Sequence, residues 1–244
     1  VLNSDLDPAL GGGGIYFIEG QYVTPDDAAA GNQDNNASYR RVIVSGGGIS
    51  WSLALSSNTQ REQAAIRAWK DTDSLVVETE IRVPDEGLFI MGATATDLNN
   101  GYWHYEYAVQ NLNSDRSARG FSVPVDPTAK IRNVGFHDVP YHSGEPFFGT
   151  DWPASVSNGY ITWMTSDFET NSLANALRWG TLYNFRFDAN RAPQSSNVVL
   201  TMYKPGVPAS VSGTSVGPIT NTNDCNGKRP VADYMQEIFD KEWQ

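Results

Sequence analysis

Strict alternation of apolar and polar positions runs through Gly101 to Asn111, Gly-Tyr-Trp-His-Tyr-Glu-Tyr-Ala-Val-Gln-Asn, and its aromatic and β-branched content predicts a half-buried β-strand. Successive side chains of a strand point to opposite faces. Trp103, Tyr105, Tyr107 and Val109 therefore share one face, while His104, Glu106, Ala108 and Gln110 share the other. The same period-two reading places strands at Ile15 to Val23, Arg41 to Ser45, Ile49 to Leu55, Leu75 to Val83 and Leu88 to Thr96. Later ones follow at Gly120 to Val125, Ile131 to His137, Gly159 to Thr165, Thr181 to Asp188 and Val198 to Tyr203, each bounded by Gly, Pro, Asn or Asp.

Helical signals are few. Thr24 precedes Pro25, Asp26 and Asp27, then three alanines and Gly31, which gives an N-cap, a proline in the first turn and acids against the helix dipole. A second short helix is expected from Thr59 to Trp69, capped by Asn58, with Ala65, Ile66 and Trp69 at helical spacing. After Pro230, Val231, Tyr234, Met235, Ile238, Phe239 and Trp243 fall on one helical face, so an amphipathic C-terminal helix is expected. Many short strands with two minor helices predict an all-β fold, an antiparallel β-sandwich or jelly roll, with a closed barrel as the alternative. The expected organisation is a flexible Gly-rich leader over residues 1–14, one sandwich domain over 15–220, and a polar loop with the terminal helix over 221–244.

Composition narrows the partners. A hydrophobic fraction of 40% with 7 Trp, 11 Tyr and 10 Phe can fill a large core. A formal charge of −11, with 17 basic residues in no stripe, argues against nucleic acid. No apolar run is long enough for a spanning helix. Cys225 is the only cysteine, so no disulfide can form within the chain. The chain opens without Met, which leads to the expectation of a processed or excised chain, from which an export signal could already have been removed. Low Lys with abundant Asn, Ser, Thr and Gly points the same way.

Several constellations could carry chemistry. His104, Glu106, His137, His142 and Glu145 combine imidazole and carboxylate in the manner of a transition-metal site, or as hydrogen-bonding groups that fix turns. Glu78 and Glu80 lie about 7 Å apart on one strand face, a spacing between those of retaining and inverting glycosidases and equally ordinary on a solvated face. No nucleophile elbow, zinc-protease helix motif, phosphate loop or dinucleotide fingerprint is present. Oxygen ligands gather around Asp5 and Asp7 at one end and around Asp224 and Asn226 at the other, which makes calcium a candidate cofactor. Trp152, Trp163 and Trp179 lie in or near polar segments, where exposed indoles could stack on sugars, or else fill the core. The stripe of Tyr234, Met235, Ile238, Phe239 and Trp243 packs on its own domain or docks on a neighbouring subunit.

Tyr105-Glu-Tyr-Ala-Val-Gln-Asn, followed by a polar turn and Gly120-Phe-Ser-Val-Pro, resembles the Tyr-x-Tyr-x-Val-x-Asn strand pair of exported bacterial β-sandwich proteins. A wider likeness, from the Gln21-Tyr-Val-Thr-Pro segment through Leu177-Arg-Trp-Gly-Thr-Leu-Tyr-Asn, is to uncharacterised secreted bacterial proteins. That resemblance implies export and a cell-surface setting, and it implies no activity and no catalytic residues. Asp224-Cys-Asn-Gly is similar to the start of an Asp-rich calcium tail repeat, with Lys228 and Arg229 where acids would stand. The expectation that follows is a non-catalytic extracellular or surface protein that self-associates, or binds another surface protein or a glycan. The alternative is a metal-assisted enzyme acting on an extracellular polymer.

Overall fold

The computed structural model describes residues 3–7, 10, 13–48, 50–141 and 144–219. In chain order the elements are α1 (Asn3–Leu6), β1 (Tyr16–Gln21), α2 (Pro25–Ala29), β2 (Ala37–Gly47), β3 (Ser50–Leu55), α3 (Arg67–Thr72), β4 (Val77–Val83) and β5 (Gly87–Asp97). They continue with β6 (Trp103–Asn111), β7 (Ala118–Pro124), β8 (Ile131–His137), β9 (Ala154–Ser157), β10 (Tyr160–Met164), β11 (Leu182–Ala189), β12 (Gln194–Met202) and β13 (Ser210–Gly217).

Two five-stranded antiparallel sheets, ordered β4-β5-β6-β11-β8 and β13-β12-β7-β10-β9, face each other as a β-sandwich. After β6 the chain passes repeatedly from one sheet to the other, so that β6 and β11 become neighbours although far apart in sequence. The alternation read along β6 holds. Tyr105, Tyr107 and Val109 are fully buried, whereas His104 and Glu106 are half-exposed on the outer face. Phe185 sits in the middle of the interior, 4.7 Å between centroids from Phe121, 5.4 Å from Trp163 and Phe136, and 5.7 Å from Trp152. Buried phenols bring polar groups into this layer, and each finds an acceptor. Tyr105 Oη donates to the carbonyl of Arg191 (2.7 Å) and Tyr107 Oη to that of Val216 (2.9 Å). Burial pushes both phenols well above their ordinary pKa, so neither ionises in the working range of the fold.

At one edge the sheets nearly touch, where β13 leans on β4 and Thr79 Oγ1 donates to the carbonyl of Thr214. Gly213 makes this approach possible, because a Cβ there would lie 2.7 Å from side-chain carbons of Ile81 and Thr79.

A third layer of β1-β2-β3, with α3, packs on part of the outer face of the first sheet. This explains why Leu88 to Ala93 is one unbroken apolar run. Phe89, Met91 and Ala93 face the sandwich interior, while Leu88 and Ile90 pack under Ala37, Ile66 and Trp69. The seam is polar at its centre. Gln110 Nε2 donates to both oxygens of Glu19 (3.0 and 3.1 Å), and Gln21 Nε2 donates to the Leu112 carbonyl (3.0 Å). Glu78 and Glu80 both bind the guanidinium of Arg67, so the carboxylate pair pins α3 to β4 and is not arranged around an open cleft.

The helix at Pro25–Ala29 forms with Thr24 as N-cap, its hydroxyl accepting from the Asp27 amide at 3.1 Å. Three expectations change. The second helix occupies Arg67–Thr72 and not Thr59 to Trp69, because Gln60 pairs with Tyr39 of β2, each amide donating to the other's carbonyl (2.8 and 3.0 Å), and this bridge holds the early part of the segment out of a helix. The leader contains the helical turn α1, held by Trp51 Nε1 donating to Asn3 Oδ1 (3.0 Å) and Tyr16 Oη donating to the Asp5 carbonyl (2.9 Å). Strands β9 and β13 were not expected. β9 is a four-residue Ala-Ser-Val-Ser stretch and β13 is rich in Ser and Gly, so neither has a strong local strand signal, and β13 forms because it completes the ladder of β12. The terminal helix with Tyr234, Met235, Ile238, Phe239 and Trp243, as well as Cys225, Asp224 and Asn226, lies outside the described residues. Among the described residues no helix is long and apolar enough to cross a membrane.

Truncating Phe185 to Ala is expected to cost about 3–5 kcal/mol, the usual range for emptying a buried aromatic site. Denaturant unfolding measures it, and a loss below about 1 kcal/mol would show that the ring does not hold the two sheets together.

Candidate functional site

A cleft of about 730 Å³ opens where β1, the α2 loop and the β4–β5 turn meet the segment before β11, a size within the roughly 300–1,000 Å³ typical of ligand sites. Trp179 stands at its edge with 43% of its surface exposed. The turn from Arg178 to Thr181 aims the indole outward. Thr181 N and Oγ1 both donate to the Arg178 carbonyl (3.0 and 2.6 Å), and Gly180 N donates to the Asn111 carbonyl (2.8 Å). Gly180 has φ +76°, a left-handed conformation that a Cβ would strain. The ring itself is held by Nε1 donating to Gln21 Oε1 at 3.3 Å, and Gln21 is anchored in turn on Leu112. An exposed aromatic side chain with its polar edge fixed is preorganised for stacking.

The remaining walls combine the apolar residues Val23, Ala28, Val83 and Pro84 with amides and carboxylates. Asn113 Nδ2 donates to Asp34 Oδ1 (2.9 Å) while Asn113 Oδ1 accepts from the Leu88 amide (2.7 Å). Glu86 accepts from Ser114 Oγ (2.6 Å) and the Arg116 amide (2.9 Å). Arg82 pairs with Asp34 and Glu80. Asp34, Asp85, Glu86 and Asp115 thus outnumber the single guanidinium of Arg82 around the cleft. Such a wall repels anions and offers planar acceptors to hydroxyl or amine donors.

The part of the outer sheet face that the third layer leaves open carries a second polar group of residues. Asp188 is 3% exposed and lies opposite His104 in the β6–β11 ladder. His104 Nδ1 donates to Asp188 Oδ1 at 2.8 Å, which leaves Nε2 as the outward nitrogen, 3.9 Å from Glu106 Oε2. Asp188 Oδ2 accepts from Asn133 Nδ2 (2.7 Å) and Arg132 Nε (3.3 Å), at the irregularity where β8 pairs with β11. Burial pushes the Asp188 carboxyl up, but the hydrogen bonds from His104, Asn133 and Arg132 outweigh it, and the group is held below the ordinary carboxylate range. Beside this network a groove of about 390 Å³ runs between Phe17 and Trp69, with Glu106 and Asn184 on its floor.

No family model matches this chain, and no curated protein does.

The residues singled out from sequence separate in space. His104 and Glu106 are together, as one strand face requires, but His137 pairs with Asn184, four positions along β11 from the partner of His104. Strand rise and spacing put the backbones of these two histidines roughly 16 Å apart. Glu145 lies elsewhere, lining a smaller hollow next to Trp179. His142 lies outside the described residues, and among the described residues no three metal-ligating side chains converge, Asp5 and Asp7 included.

Of the three tryptophans, Trp152 and Trp163 are 2% and 1% exposed and belong to the core, where they pack on Phe136 and Phe185. A ring enclosed on both faces has no surface for a ligand, so the stacking role narrows to Trp179. Asp188, Gln21 and Asn113 were not identified from sequence. Asp188 ends an alternating strand stretch in the chain, and nothing local marks its pairing with His104.

Because Asp188 has a lowered pKa in the folded protein, it adds stability above the ordinary carboxylate pKa of about 3.9, and this is lost as pH falls below that value. Asp188→Asn is expected to lower stability at neutral pH and to flatten its decline as pH falls below about 4, as read by denaturant midpoints against pH. Superimposable wild-type and variant profiles would contradict the network's role.

Proposed function

We propose that this protein is a non-catalytic binding module of an exported, surface-located protein, and that it binds a glycan in the cleft at Trp179. The observation that carries this reading is the fixed, half-exposed indole of Trp179 at the edge of a large cleft whose polar lining groups are mainly amides and carboxylates. Sugars present apolar C–H faces that suit an aromatic platform, and hydroxyls that suit planar side-chain acceptors and donors. Export is supported by the likeness of Tyr105 to Asn111 and Gly120 to Pro124 to secreted sandwich proteins, and by the polar, Lys-poor composition.

Titration calorimetry against soluble neutral polysaccharides tests the assignment. Trp179→Ala is expected to weaken binding at least about tenfold, or about 1.4 kcal/mol, with an unchanged circular dichroism spectrum because the ring is outside the core. Identical isotherms for the two proteins would exclude the Trp179 cleft as the site.

A second, enzymatic reading rests on the His104–Asp188 pair, since a buried carboxylate that orients Nδ1 and leaves Nε2 outward is the arrangement of a general base. The two readings separate on one assay. The binding reading expects no new reducing ends after prolonged incubation with the bound polymer. Reducing ends that appear with wild type and vanish in His104→Ala would transfer the assignment to the catalytic reading.

A further inference from the structure

The Trp179 cleft does not end at Trp179. A second hollow of about 250 Å³ lies on its other side, and Trp179 and Asp115 line both. The indole is therefore a ridge between two depressions and not the end wall of one. Lys204 Nζ, which lines the smaller hollow, binds Asp115 Oδ1 at 2.7 Å, and Asp115 lines both. Beyond the ridge the chemistry changes. The larger hollow is dominated by carboxylates, whereas the smaller has Arg178 and Lys204 balanced by Asp115 and Glu145. Arg178 is rigid there, its guanidinium 3.7 Å from the centre of the Phe147 ring and Nη2 donating to the Ala174 carbonyl at 2.9 Å.

We propose that the two hollows form one groove, and that it takes an internal stretch of a linear, uncharged or amine-bearing oligosaccharide lying across Trp179, with sugar units on both sides of the ridge. This rests on the glycan reading and specifies its ligand. A site closed behind the aromatic ring would hold a chain end. One open on both sides lets the polymer pass through, and affinity then grows with length until both hollows are filled. The excess of carboxylates in the larger hollow disfavours polyuronates.

Calorimetry with cello-, xylo-, manno- and chito-oligosaccharides of one to six units, and with oligogalacturonates of the same lengths, tests this on the full chain. The expected result is affinity for at least one uncharged or amine-bearing series that rises at least tenfold from one to four units and then levels off, with no binding of oligogalacturonates. Lys204→Ala, on the smaller side, is expected to weaken the four- to six-unit ligands several-fold and to leave the shortest ones unaffected. Trp179→Ala is expected to weaken all lengths. Equal affinity for one and six units, an unaltered length dependence in Lys204→Ala, or oligogalacturonate binding would overturn the through-groove while leaving glycan binding in place. Absence of binding to every series would overturn both.

Discussion

The aromatic layer between the two large sheets is the constraint on which the other features depend. Phe185 touches Phe121, Phe136, Trp152 and Trp163, and these rings come from strands on both sheets and from the loop between β8 and β9. Large flat side chains bury much apolar area for little rotamer entropy, and their packing admits few alternatives of offset and tilt. Once that layer is formed, β11 is fixed between β6 and β8, and its two ends are placed. One end carries Asp188 to His104, and the other begins at the turn that presents Trp179.

The third layer shows a different balance of forces. Its apolar contact with the sandwich is modest, made by Ala37, Ile66, Trp69 and the outer residues of β5 and β6. Hydrogen bonds of Glu19 to Gln110 and the Arg67 pairs with Glu78 and Glu80 then set where it sits. Partly exposed ion pairs contribute little stability but are directional. The consequence for function is spatial. The layer covers part of the outer sheet face, leaves the His104 network open, and by ending at Gln21 supplies one wall of the Trp179 cleft.

Polar residues in these two regions work in different ways. Around Asp188 the partners His104, Arg132 and Asn133 stand on the two strands that flank β11, and the network holds the irregular pairing of β8 as much as it presents an imidazole. Around Trp179 the hydrogen bonds run to backbone and amides that fix the ring while its face stays exposed. A surface whose polar edge is satisfied and whose apolar face is open is suited to bind a ligand without first reorganising.

Much of the architecture was legible from local pattern. The alternation from Trp103 to Val109 assigned each side chain to its face, and the Thr24 to Gly31 signals located α2, because both depend only on residues within a few positions. The Pro84 to Gly87 turn and the glycines after Ser45 marked hairpins for the same reason. What local pattern left open was every relation between distant segments. Trp152 and Trp163 sit in stretches as polar as that of Trp179, and only the crossing of the chain between sheets buries the first two and exposes the third. His104 and His137 lie on comparable strands, yet the register through β11 keeps them apart and gives His104 a carboxylate 84 residues away. Sequence determined which faces are apolar, since transfer from water acts on each residue singly; the tertiary structure decided which faces meet, since that depends on packing among strands distant in the chain.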